Sequence, residues 1–116
     1  MPPLTTHVLD TALGKPAAGL AIKLEIQSAA DKSWSDVGAG VTNGDGRLEA
    51  SLIPEEAGLQ ASVYRITFDT EGYCTATGRE CFYPEVSVVF RITAPGDHYH
   101  VPLLLSPFGY STYRGS

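Results

Sequence analysis

The chain has 116 residues, of which 43% are hydrophobic and 18% charged, with 13 acids against 8 bases for a net charge of −5. This is the size of one domain, covering residues 1–116, and the composition is globular rather than disordered or fibrous. Lys and Arg form no cluster, which argues against nucleic acid or an anionic membrane as partner.

Residues 4–10 form the first predicted strand, with His7 on the face of Thr5 and Leu9, and Leu4, Thr6 and Val8 on the other. After the turn at Gly14-Lys15-Pro16, Leu20, Ile22, Leu24 and Ile26 alternate with Ala21, Lys23, Glu25 and Gln27, the signature of a half-buried strand over 20–27. Strands follow at 33–42 and 47–51, separated by Asn43-Gly44-Asp45-Gly46, a tight turn that sets Arg47 at the mouth of a hairpin. An EF-hand reading of that turn fails on register. With Gly46 as the sixth loop residue, Val41 and Leu52 fall where calcium requires a carboxylate at the first and twelfth positions.

Residues 61–68 give another alternating strand, and 69–77 a short helix with Asp69 as N-cap and Gly78 as its stop. Cys74 and Cys81 match neither a CxxC redox site nor a zinc finger and are expected to be free thiols. Strands at 86–93, 98–105 and 110–115 complete the chain. Short strands with frequent turns predict an all-β antiparallel sandwich. No apolar run reaches the roughly 20 residues that span a bilayer. The opening Met-Pro-Pro-Leu-Thr-Thr-His has neither a basic n-region nor an apolar h-region. A soluble, cytoplasmic protein is expected.

The segment His98-Tyr99-His100-Val101-Pro102 carries the richest local chemistry, because His98 and His100 share one strand face. With His7 they could hold zinc, act as acid and base near neutral pH, or simply pack. A serine hydrolase is excluded on pattern, since Gly-x-Ser-x-Gly is absent. The tail Tyr113-Arg114-Gly115-Ser116 is aromatic and basic where a fraying terminus is usually small and polar.

Taken in order, Leu4-Thr5-Thr6-His7-Val8-Leu9-Asp10, Gly14-Lys15-Pro16-Ala17, Asp45-Gly46-Arg47, His98 through Pro107 and the terminal Tyr-Arg-Gly-Ser resemble the transthyretin-like 5-hydroxyisourate hydrolase family along the whole chain. The resemblance implies a transthyretin-type β-sandwich of about eight strands with one short helix, assembled as a homotetramer. It implies opening of the 5-hydroxyisourate ring by water attack on an acyl C–N bond, giving 2-oxo-4-hydroxy-4-carboxy-5-ureidoimidazoline, without metal or organic cofactor.

The family's catalytic positions fall on His7, Arg47, His100 and Ser116, and its substrate contacts on His7, Arg47, Tyr113, Arg114 and Gly115. In that reading the histidines move protons, Arg47 faces an anionic substrate and the Ser116 carboxylate orients an imidazole. His98 is a secondary or structural residue, and which histidine is the base stays open. The alternative is a non-catalytic carrier of a small aromatic ligand, though the hormone-carrying branch lacks the His and Tyr-Arg-Gly-Ser set.

Overall fold

Alternation along the chain is converted into two facing sheets, described here for residues 2–115 of a computed structural model. The strands are β1 (Leu4–Thr5), β2 (Val8–Asp10), β3 (Lys15–Pro16), β4 (Ala21–Gln27), β5 (Trp34–Val41), β6 (Val63–Phe68), β7 (Val86–Arg91), β8 (Tyr99–His100), β9 (Leu103–Ser106) and β10 (Gly109–Thr112), with helix α1 (Thr70–Ala76) between β6 and β7. One sheet runs β5-β4-β6-β7, all antiparallel. The other runs β10-β9-β2-β3, and β1 pairs with β8 alone. The apolar faces meet: Ile22, Leu24, Ile66 and Phe68 from the first sheet join Val8, Leu103 and Leu105 from the second in one buried cluster. Fully burying each such side chain contributes about 1.5–3 kcal/mol.

The second sheet is not wholly antiparallel. β1 with β8, and β2 with β9, are parallel pairs. The expected strands 4–10 and 98–105 are each divided in two, and Pro102 gives the reason, because it has no N–H to donate. Around it the ladder continues, with Tyr99 N donating to Pro3 O at 2.8 Å, Val101 N to Thr5 O at 2.9 Å and Leu103 N to His7 O at 2.9 Å. Residues 4–10 therefore lie alongside residues 99–105 in register, with Thr5 opposite His100.

Two expectations are corrected. Residues 47–51 form no strand. The chain there crosses β5 instead, and Gly38 permits it: a side chain at that position would collide with the Leu52 carbonyl. This crossing buries Leu52 and Ile53 in the core. The thiols are not free either, since Cys74 and Cys81 are paired with their Cα atoms 5.9 Å apart, inside the range a disulfide spans. α1 has its Asp69 cap in place, the side chain accepting from Gly72 N at 3.0 Å. The chain then folds straight back, Arg79 N donating to Cys74 O at 2.8 Å, which returns Cys81 to the helix. Among the described residues no helix is long and apolar enough to cross a membrane.

Candidate active site

The parallel ladder places two polar stripes side by side. Thr5 and His7 are half-buried members of the first, with Leu4, Thr6 and Val8 turned into the core; His98 and His100 are their half-buried counterparts on the neighbouring segment, with Tyr99 and Val101 inward. Buried Thr6 locks the two segments together, its hydroxyl donating to Val101 O at 2.6 Å.

Arg47 reaches this face through the Asn43–Gly46 turn. Asn43 Oδ1 accepts from Asp45 N at 2.9 Å and Arg47 N at 3.2 Å, and Asn43 N donates to Arg47 O at 2.8 Å. Gly46 has φ of +74°, and a Cβ there would strike Val8 O, so only glycine lets the turn close against β2. Two bonds then fasten turn to strand: Val8 N donates to Gly46 O at 2.8 Å, and the His7 Nε2–H donates to Asp45 O at 2.8 Å. Because a carbonyl only accepts, His7 carries hydrogen on Nε2, and neutral His7 keeps its lone pair on Nδ1. The Arg47 side chain is exposed and has no ion-pair partner among the described residues.

The surroundings of His100 disfavour its charged form. Burial, followed by the positive charge of Arg47, holds its pKa below the ordinary 6.5, and His7 and His98 push the same way. Its Nδ1 lies 2.8 Å from Thr5 Oγ1. Thr5 Oγ1 also lies 3.2 Å from His98 Nε2, and the His98 Nδ1–H donates to Pro2 O at 2.7 Å. Sequence reasoning passed over Thr5, although its place on the same strand face as His7 was already legible.

The tail divides. Thr112 Oγ1 donates to Pro102 O at 2.8 Å, steering the chain after β10 back toward β8, where Gly115 N donates to His100 O at 2.8 Å. A Cβ on Gly115 would lie 2.5 Å from His100 Cδ2, so glycine is required for this approach. Arg114 is engaged elsewhere, with its guanidinium 4.3 Å above the ring of buried Tyr99. Tyr113 is 57% exposed and lines, with Arg114, Val88 and Phe90, a depression separate from the imidazoles. Of the expected site residues, His7, Arg47, His100 and Gly115 are brought together, Tyr113 and Arg114 stand apart, and Ser116 lies outside the described residues. Among the described residues no group of three His, Cys, Asp or Glu side chains converges on a point where a metal ion would sit.

Residues 4–115 match the model of the HIUase/Transthyretin family. The chain is 49% identical to 5-hydroxyisourate hydrolase of Mus musculus over 98% of its own length and 95% of that protein. It superposes on the 5-hydroxyisourate hydrolase of Klebsiella pneumoniae with a TM-score of 0.81 at 35% identity, over 97% of this chain and 98% of that one. Sea bream transthyretin in complex with thyroxine is also similar, with a TM-score of 0.89 at 38% identity over 97% and 94%.

Proposed function

Since the chain belongs to the HIUase/Transthyretin family, whose similar members include both hydrolases and a thyroxine-binding protein, we propose that it is the hydrolase: it opens 5-hydroxyisourate to 2-oxo-4-hydroxy-4-carboxy-5-ureidoimidazoline. The observation that carries this reading is the gathering of His7, Arg47 and His100 on one face, with the tail's Gly115 against the His100 ring. A carrier of a flat ligand needs shape and apolar area; it has no use for two imidazoles beside a guanidinium that no described residue pairs.

Each group meets a demand of acyl C–N hydrolysis. Water must lose a proton as it attacks, the carbonyl oxygen gains negative charge, and the departing nitrogen takes a proton. A neutral imidazole supplies the first, and lowering the pKa of His100 keeps it neutral over a wider range. Arg47 supplies a permanent cation for the anionic, carbonyl-rich substrate and its oxyanion. The departing nitrogen receives its proton from the imidazole that took one from water, while His7, its Nε2–H held by Asp45 O, turns a bare Nδ1 to the site. Gly115 shapes the site against the His100 ring, the Ser116 carboxylate orients an imidazole, and Tyr113 and Arg114, apart from the imidazoles in one chain, join the site only where a second copy closes it. The reaction needs no metal or organic cofactor, because Arg47 provides the charge a Lewis acid would bring.

A single chain offers little enclosure here. His7 and His100 stand half-buried and Arg47 exposed on an open face, whereas small-molecule sites are enclosed cavities of roughly 300–1,000 Å³. We therefore propose that one domain over residues 1–116 forms a homotetramer in the cytoplasm, in which a second copy closes the cavity, with neither nucleic acid nor membrane as partner. Following the ultraviolet absorbance of freshly generated 5-hydroxyisourate tests the function. Accelerated decay is expected; decay at the spontaneous rate, with the compound bound, would establish the carrier instead.

A further inference from the structure

The hydrogen bonds linking Pro2, His98, Thr5 and His100 form a chain whose direction is fixed at one end, and we propose that Thr5 and His98 act as positioning residues that hold His100 in its Nδ1–H form, leaving Nε2 as the general base. The direction starts at the Pro2 carbonyl, which can only accept. His98 Nδ1, 2.7 Å away, therefore carries hydrogen, and the lone pair of neutral His98 is on Nε2. That nitrogen lies 3.2 Å from Thr5 Oγ1, so the hydroxyl donates to it. A threonine hydroxyl has one proton. Having spent it on His98, Thr5 Oγ1 accepts from its other neighbour, His100 Nδ1, at 2.8 Å. Neutral His100 thus holds its hydrogen on Nδ1 and presents a bare Nε2.

Among the described residues no other side chain competes for this assignment. Arg47, His7 and His98 are the charged or titratable groups acting on it from the neighbouring elements, the first having no acceptor to offer. His7 has its own proton committed to Asp45 O through Nε2. The two catalytic imidazoles are consequently set in opposite forms: His100 free at Nε2, His7 free at Nδ1. The consequence for catalysis rests on the hydrolase reading above; the proton arrangement itself does not.

The arrangement is measurable without substrate. In uniformly ¹⁵N-labelled protein at about pH 8, where imidazoles of ordinary pKa are neutral, long-range ¹H–¹⁵N correlation separates the protonated from the bare nitrogen of each ring. His98 and His100 are both expected as Nδ1–H. In Thr5→Val, which keeps the shape and removes the hydroxyl, His98 keeps its form because Pro2 still holds it, whereas His100 moves to the Nε2–H form. In Thr5→Ser the wild-type pattern returns.

Turnover of 5-hydroxyisourate follows the tautomer. Thr5→Val loses roughly 10- to 100-fold in kcat with KM little changed, the scale for losing the partner that orients a functional imidazole, and Thr5→Ser recovers it. Finding His100 as Nε2–H in the wild type overturns the proposal, even if Thr5→Val fails to fold. An unchanged His100 pattern in folded Thr5→Val overturns it equally. A wild-type protein that leaves 5-hydroxyisourate untouched ends the hydrolase reading, while the tautomer of His100 still decides this one.

Discussion

Two polar clusters sit at opposite ends of β2, three residues apart in sequence, and they are built on opposite rules. At its far end Asp10 is 2% exposed, and both carboxylate oxygens are saturated. Oδ1 accepts from Ala12 N and Leu13 N at 3.1 Å each, and Oδ2 from the Tyr73 hydroxyl at 2.7 Å and Arg79 Nη2 at 2.5 Å. At its near end His7 is half-buried, Arg47 is exposed, and His7 and His100 each keep a nitrogen that no described residue occupies. Saturation marks a cluster that fastens the helix and its return loop to the sheet. Unspent bonding capacity, held in fixed directions by neighbours that are themselves satisfied, marks a cluster that meets something from outside.

The sharpest way to break this contrast is to exchange the expected phenotypes. Asp10→Ala strips the partner from Arg79 and Tyr73, and should cost on the order of 3 kcal/mol of folding stability, the low end for a broken buried pair because Arg79 stays partly in water. Denaturant unfolding measures it, and the surviving folded fraction should hydrolyse 5-hydroxyisourate normally. Acid reports the same cluster. Burial alone would raise the Asp10 pKa, but the bonds from Arg79, Tyr73 and Leu13 outweigh it and hold the carboxyl below 3.8. The stability it contributes is present above that value and is lost as pH falls through the lower, folded one. His7→Ala, Arg47→Ala and His100→Ala should do the reverse: each loses about 10²-fold or more in kcat/KM with its melting temperature kept, and a double variant loses less than the product of its singles. Near-normal turnover in any one removes that residue from the site.

How much of this was legible without coordinates differs between the two ends. The strand faces were readable, because period-two alternation states which side chains point together: His7 with Thr5, and His98 with His100. So was the helix, from the Asp69 cap. The Asp10 cluster was invisible, since Asp10, Tyr73 and Arg79 are far apart in sequence and no local pattern links a strand-end carboxylate to a helix. The missing strand at 47–51 has the same origin: Gly38 lets that segment cross β5, a fact about a neighbour rather than about residues 47–51. The Cys74–Cys81 pairing likewise depends on the chain reversal after α1, which spacing alone does not specify. The set Arg47, His7 and His100 was assembled by family resemblance; local reading alone left metal binding, acid–base chemistry and packing all open.

The tail sharpens the contrast at intermediate scale. Deleting Tyr113-Arg114-Gly115-Ser116 should remove most activity while leaving the fold, because β10 ends at Thr112 and the core does not include Tyr113, Arg114 or Gly115. A short Gly/Ser extension after Ser116 should cost less, since it displaces only the carboxylate. Gly115→Ala isolates the contact: the added methyl meets the His100 ring, so turnover should fall about tenfold through a shifted imidazole with stability little altered. Full activity in the deletion variant would exclude the tail from the site altogether.

The smallest effect is a titration. His100 is held below 6.5 first by burial, then by Arg47 and more weakly by His7 and His98. The folded protein therefore takes up this proton less readily than the unfolded chain. As pH falls below about 6.5 the unfolded state gains the proton first, so this residue's linkage lowers stability until the folded value is passed, and is absent above 6.5. The acid limb of kcat/KM should correspondingly lie below 6.5, because the base stays neutral there. Arg47→Met removes the second contributor and leaves burial in place, so the His100 midpoint, followed by NMR, should rise toward 6.5 without passing it. The sign is what matters: a cation nearby can only disfavour a second one, and its removal can only raise the midpoint. A midpoint that stays fixed in Arg47→Met would place the guanidinium too far from His100 to share a substrate with it, and the near end of β2 would then hold two unrelated polar groups instead of one site.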